Sequence, residues 1–333
     1  MNNFGRIGGS GLGVLLAEEL KGKDGLPSAQ ALRADPEFPQ AMRHAGAGLI
    51  ALRQRDFRAS WFLNDRALAV LHHVILCFDA EANDADPGSG LTPGRFKAFC
   101  AERGFCSPGR AGAILAWLRV SGMLRAERTP DDRRIVRLRP SERLREAARA
   151  RLRVHLAAFA PLHPTLAPAA ARLGCPAFEN AVYRALAALL AQGRWPPEPI
   201  PALARVARRD SGALILLALF VDSEPAGPAS RDLIADLSIA SLARQLRLSR
   251  AHVLRVVRDA EADALLQRLG PDGKQVRLTG LLVDSLATLH AAIAQVLITG
   301  AVAGQSGAPT CTCCTAEPVA ALALPPEERH SIV

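Results

Sequence analysis

A chain of 333 residues is long enough for two or three domains, each able to bury its own core. Hydrophobic residues make up 49% of it, but aromatics only 5% with a single tyrosine, Tyr183, which argues against a carbohydrate binder or a platform for stacked single strands. The net charge of +9 points to anionic partners, and seven cysteines, an odd number without framework spacing, point to a reducing compartment.

Residues 1–39 read as a flexible arm, with glycines at 5, 8, 9, 11 and 13 and prolines at 27, 36 and 39. No three of those glycines fall at G-x-G-x-x-G offsets and no apolar strand precedes them, so a dinucleotide fingerprint is rejected. Helical pattern covers Gln40 to Arg53 and Ser60 to Ala80, and Asn83 to Gly90 is a polar loop. Thr92 followed by Pro93 opens a helix that runs to about Arg103 and stops at Gly104. Ser107 followed by Pro108 opens the next, whose apolar positions Ala111, Ile114, Leu115 and Leu118 recur at helical spacing up to about Gly122. Met123 to Arg128 and Arg134 to Leu138 read as strands around a turn from Thr129 to Arg133, and Pro140-Ser141 start a long basic helix reaching about Ala160.

The same order then returns. Helices are expected near Phe178 to Gln192 and Pro201 to Val221, then a loop of Pro, Gly and Ser, then helices from Ile239 to Leu246 and from Ser249 to Ala260. In the last of these Val253, Val256, Val257 and Ala260 form the buried stripe. Leu265–Leu269 and Gln275–Leu278 make a second hairpin about Gly270–Lys274, and a helix from Gly280 reaches about Thr299, with a disordered tail after Gly300. The step from Ser107 to Ser249 is 142 residues, and it also carries Phe78 onto Phe220, Leu91 onto Leu233, Ala101 onto Ala243, Ile114 onto Val256 and Met123-Leu124 onto Leu265-Leu266. A repeat unit this long is a duplicated domain rather than a solenoid. The expected fold is mainly α with small β wings: tandem winged helix-turn-helix domains at 40–163 and 177–300, forming a pseudo-dimer between an arm (1–39) and a tail (301–333).

Positive charge follows these segments. Leu91 to His155 holds 16 Lys or Arg against 6 Asp or Glu, and Ser238 to Leu278 holds 8 against 4. A helix-turn-helix lays its second helix in the major groove while the wing reaches adjacent backbone. The buried stripe of the second copy leaves Arg250, His252, Arg255 and Arg258 outward, able to meet guanine edges or phosphates. The first copy has Arg110, Ala113 and Ala116 where the second has His252, Arg255 and Arg258, and its wing carries Arg128, Arg133, Arg134 and Arg137 against Lys274 and Arg277 in the other. The second copy is therefore expected to read bases by helix and the first to contribute wing and backbone contacts.

Ser60 to Phe159 resembles the MarR family of bacterial winged-helix regulators, most closely at Asp131-Asp132-Arg133-Arg134-Ile135-Val136-Arg137, which is similar to that family's wing. Pro140-Ser141 stands where the family usually has Leu-Thr; the second copy does end in Leu278-Thr279, on a wing read as one residue shorter. Arg247 holds a turn position where Gly is common. The resemblance implies symmetric dimers with one reading head per subunit and release by a ligand or oxidant. Two unlike heads in one chain then imply a fused pseudo-dimer with an asymmetric site.

Cys100 and Cys106 flank the first turn, where oxidation would displace the following helix; small buried hydrophobes are the preferred reading. Cys311, Cys313 and Cys314 cluster, but only Cys175 and distant histidines stand ready to complete a metal site. His72, His73, His155 and His163 have no ligand pattern, and nucleophile elbow, P-loop and HExxH motifs are missing. No enzyme, cofactor or metal is expected. The longest apolar run, Gly212 to Val221, is too short for a bilayer. The expectation is a cytoplasmic, nucleoid-associated transcriptional regulator whose partner is double-stranded DNA, with a small-molecule effector and a homodimer left open. The other reading is a chromosome- or replication-associated module that docks proteins.

Overall fold

The computed structural model describes residues 26–55, 66–86, 88–128, 136–193 and 200–307. Helices α1 (Ala29–Ala34) and α2 (Phe38–Arg55) lead into α3 (Arg66–Ala80). Next come α4 (Pro93–Glu102), α5 (Pro108–Val120), the hairpin β1 (Leu124–Arg128) and β2 (Val136–Pro140), and α6 (Glu142–Phe159). After α7 (Leu166–Ala171) the order returns as α8 (Pro176–Ala191), the single turn α9 (Ala204–Ala207) and α10 (Gly212–Val221). Strands β3 (Glu224–Pro225) and β4 (Leu233–Asp236) precede α11 (Ile239–Leu246), α12 (Arg250–Ala262), the hairpin β5 (Leu266–Leu269) and β6 (Gln275–Leu278), and α13 (Gly280–Gly307).

The helix starts follow the capping chemistry written in the sequence. Thr92, Ser107, Ser238 and Ser249 each accept, on the side-chain oxygen, the backbone N–H three residues on, at 3.2–3.3 Å. The turns between α4 and α5 and between α11 and α12 share one geometry. Phe105 N–H donates to Cys100 O and Leu248 N–H to Ala243 O, both at 2.9 Å, closing six-residue C-terminal motifs. Cys100, rather than Ala101, is thus the structural partner of Ala243, because the first turn holds one extra residue. Gly104 takes the left-handed conformation in the first turn and Arg247, at φ 54°, takes it in the second. For a residue with a Cβ that costs about 1–2 kcal/mol. Arg247 holds it because its guanidinium donates to Gln54 O at 3.1 Å.

Four parts of the chain differ from expectation. The span 201–221 breaks at Ser211 (φ 54°), and Gly212 sits so close to Val206 that a Cβ would lie 2.1 Å from its carbonyl oxygen. Leu233–Asp236 pairs with Gln275–Leu278, giving a four-stranded sheet in the order β3-β4-β6-β5 where a loop was expected. This pairing is long-range and leaves no local alternation to read; in the first set only Leu138 N–H to Leu91 O (2.8 Å) answers it. The second hairpin is shorter by four residues, not one: Met123 O and Ser141 N–H bond across 18 positions, Leu265 O and Thr279 N–H across 14. Finally, the arm and tail contribute to the core. Leu32 and Phe38 are buried, and α13 continues through 301–307 with Ala301 and Gly304 buried; the rest of both segments lies outside the described residues.

The two sets pack reciprocally. α2 lies on α6 and on α10; α8 lies on α13 and on α3. α1 runs along α13, and α7 along α6. These helix partnerships thus have counterparts in both halves, as across the two-fold axis of an isologous dimer. Arginine capping repeats the pattern. Arg43 on α2 donates to Phe220 O and Val221 O (2.8 and 2.9 Å) at the C-terminus of α10, and Arg184 on α8 donates to Ala80 O (3.3 Å) at the C-terminus of α3. Arg103, closing α4, donates to Leu190 O at the end of α8 (2.9 Å), as Arg247 does to the end of α2. Carbonyls at helix C-termini lack intrahelical partners and carry the negative end of the dipole, so each cation satisfies and neutralises the other half's helix end.

Buried hydrophobics from both halves form one continuous core. Tight crossings depend on glycine: a Cβ on Gly304 would lie 2.5 Å from the Phe178 ring, so α13 and α8 touch backbone to side chain there. Among the described residues α13 is the helix long and apolar enough to cross a membrane, and its buried Ser285, His290 and Gln295 face protein.

Candidate nucleic-acid interface

α12 is built as the sequence suggested. Val253, Val256, Val257 and Ala260 are fully buried against the core, which turns Arg250, Arg255 and Arg258 outward. All three are exposed and none forms an ion pair with a described residue. His252 is placed differently. It is half-buried, and its Nε2–H donates to Asp210 O at 2.6 Å, tying α12 to the turn before α10. Arg244 on α11 is also exposed, and its position opposite the buried Leu242, Ala243 and Leu246 is legible from spacing.

The second hairpin offers less. Lys274 is exposed with Asp272 at 3.2 Å, a surface pair of little energetic weight. Arg277 is half-buried, donates to Gln267 Oε1 (3.3 Å) and lies 3.9 Å from Asp232. It braces the sheet rather than standing clear of it.

In the first half the equivalent face is largely apolar. On α5, Ala111, Leu115 and Leu118 are buried, leaving Arg110, Ala113, Ala116, Trp117, Arg119 and Val120 exposed, with Trp117 at 45% and Val120 at 89%. Arg128 ends β1 opposite Val136. Arg133 and Arg134 lie outside the described residues.

Arg137 is a correction. It is 4% exposed and fills the acidic loop before α4, donating to Asn83 O and Asp86 O (both 2.9 Å) and to Asp84 Oδ1 (3.0 Å). The guanidinium gathers the loop's oxygens as a bound cation would. Replacing Arg137 with Ala should cost about 2–3 kcal/mol from the lost charged hydrogen bonds, a loss that denaturant titration checks.

The charge count needs the same correction. Arg139 meets Asp79, Asp84 and Glu127, Arg145 meets Asp79 at 2.5 Å, and Arg149 meets Glu179, Glu142 and Glu146. Asp79, Asp84 and Glu179 lie outside the basic window counted in sequence, so folding neutralises charge that the window left unbalanced. On α11 and α12, by contrast, Arg244, Arg250, Arg255 and Arg258 stay exposed.

Cys100 is fully buried, and burial together with the neighbouring Cys106 pushes its thiol up to about 12, so it behaves as a small apolar residue. Among the described residues no group of His, Cys, Asp and Glu is placed to hold a metal. A cleft of ≈ 940 Å³ lined by Glu81, Asn83, Asp84, Arg95 and Arg184 is open and polar, with Arg95 already on Gly90 O (2.7 Å) and Arg184 on Ala80 O. That is unlike the enclosed apolar pocket an effector prefers. No family model, curated protein or solved structure matches the chain.

Proposed function

We propose that this chain is a sequence-specific double-stranded DNA-binding transcriptional regulator, similar to the MarR family, in which two winged helix-turn-helix domains are fused as a pseudo-dimer. The observation that carries it is α12: a helix-turn-helix second helix with a fully buried stripe on one face and Arg250, Arg255 and Arg258 exposed on the other. Reciprocal packing of the two halves supports the pseudo-dimer. Base reading falls to α12, with Arg244 and Lys274 at phosphates and Arg110, Arg128, Arg133 and Arg134 left to the first head.

A second reading, the protein-docking module, draws on the apolar exposed face of α5 for the first head alone. Selection from random duplex DNA tests the main reading. The parent should return an asymmetric site, and Arg255→Ala should lose about 1–3 kcal/mol of preference at one or two positions of it. Clean palindromes would overturn the unlike-head arrangement, and unchanged preference in the variant would overturn α12 as the reader.

A further inference from the structure

The exposed face of α5 has no use in a DNA reading carried by α12. Where α12 turns out Arg255 and Arg258, α5 turns out Ala113 and Ala116, and Trp117 and Val120 widen the strip on the same side. Exposed Arg110 and Arg119 on the helix, Lys97 on α4 and Arg125 on β1 surround it, and α5 itself contains no acidic residue. Such a surface fits an apolar segment bracketed by carboxylates. A second copy of the same face would set like charges against each other.

The chain contains a segment of that kind beyond Gly307. Val319, Leu322 and Leu324 lie between Glu317 on one side and Glu327-Glu328 on the other. Its point of departure is favourable. Gly307 packs on Ala181, where a Cβ would come within 2.9 Å, and Leu190 lies about 14 Å further along α8. Leu190 O accepts from Arg103, next to the turn that starts α5. From that turn α5 runs about 15 Å from Ser107 to Trp117. The chain from Gly307 to Leu322 extends to about 50 Å.

We propose that residues 316–328 dock on the exposed face of α5, with Val319, Leu322 and Leu324 covering Ala113, Ala116, Trp117 and Val120, and the three glutamates meeting the basic rim. The docked segment shields the first head, so that its engagement competes with whatever else that face contacts. The docking itself does not depend on the DNA reading.

The test uses the full chain with p-benzoylphenylalanine in place of the exposed Val120, irradiated in dilute solution without DNA, and its crosslinks mapped by mass spectrometry. Intrachain crosslinks to residues 316–328 are expected. Adding Leu322→Asp and Leu324→Asp should lower their yield about tenfold, since two apolar anchors become charges. Crosslinks elsewhere in the chain, covalent dimers, or no crosslink at all in a chain with parental circular dichroism would each overturn the proposal. Crosslinks formed only to added duplex DNA would overturn it as well, assigning the face to the first reading head.

Discussion

Replacing Glu179 with Ala should cost about 3–5 kcal/mol of folding stability, the largest loss expected from any single side chain on the seam between the halves. Glu179 on α8 is 6% exposed and accepts from Arg149 Nε (2.5 Å), Arg149 Nη2 (2.9 Å) and the Gly174 N–H (2.8 Å). Arg149, on α6 and itself buried, also reaches Glu142 and Glu146 at the helix surface. The hydrogen bonds that Arg149 donates to Glu179 are the first cause of its guanidinium being held more firmly protonated than usual. Without Glu179 a cation that cannot shed its proton stays in a largely apolar seam with only its outer partners. Joint replacement by Arg149→Met and Glu179→Leu should recover most of the loss, because the penalty belongs to the uncompensated charge rather than to the missing pair. Urea titrations of the three variants decide it; equal losses in the single and double variants would refute the argument.

Acid should unfold this protein through its histidines. His73, His155 and His290 are buried between α3, α6, α8 and α13. His73 Nδ1 lies 3.3 Å from the Tyr183 hydroxyl, and Nδ1–H of His155 and of His290 donates to the carbonyl four residues back, Arg151 O (3.0 Å) and Leu286 O (2.8 Å). Nε2 of His155 has no hydrogen-bond partner among the described residues. Burial is the largest cause that holds all three below the ordinary histidine range; His72 adds to it at His73, and Arg151 adds to it at His155, which falls to about 3. Above an unfolded value near 6.5 both states are neutral and the histidines have no effect on stability. Below it the unfolded chain binds protons that the folded chain refuses, so stability falls with falling pH until the folded values are reached. Each histidine contributes at most about 1.4 kcal/mol per pH unit, and only between the unfolded value and its own folded value. Denaturation midpoints should fall as pH drops below the unfolded value, and less steeply in His290→Leu.

Helix-turn-helix segments, their serine and threonine caps and the stripe of α12 were legible from sequence because each depends on neighbours within one or two turns. Arg250, Arg255 and Arg258 followed from that stripe alone. Arg137 did not: on a strand next to a charged turn it reads as a wing contact, and only the acidic loop some fifty residues earlier, folding back over β2, buries it. His252 likewise lies on the outward side of α12 by periodicity, yet Asp210 stands over it. Trp117 and Val120 carry no charge that marks them along the chain, and their exposure is a property of the assembled surface.

By itself the sequence determined the duplicated order of helices and hairpins, where the capped helices α4, α5, α11 and α12 begin, and which face of α12 is apolar, since capping and periodicity are local and act the same way in any surroundings. The tertiary structure alone decided how the halves interlock, through arginine caps offered to each other's helix ends, and which basic residues remain in solvent. The physical reason is that burial and charge pairing depend on groups distant in sequence: Asp79, Asp84 and Glu179 neutralise arginines that a count along the chain assigns to DNA.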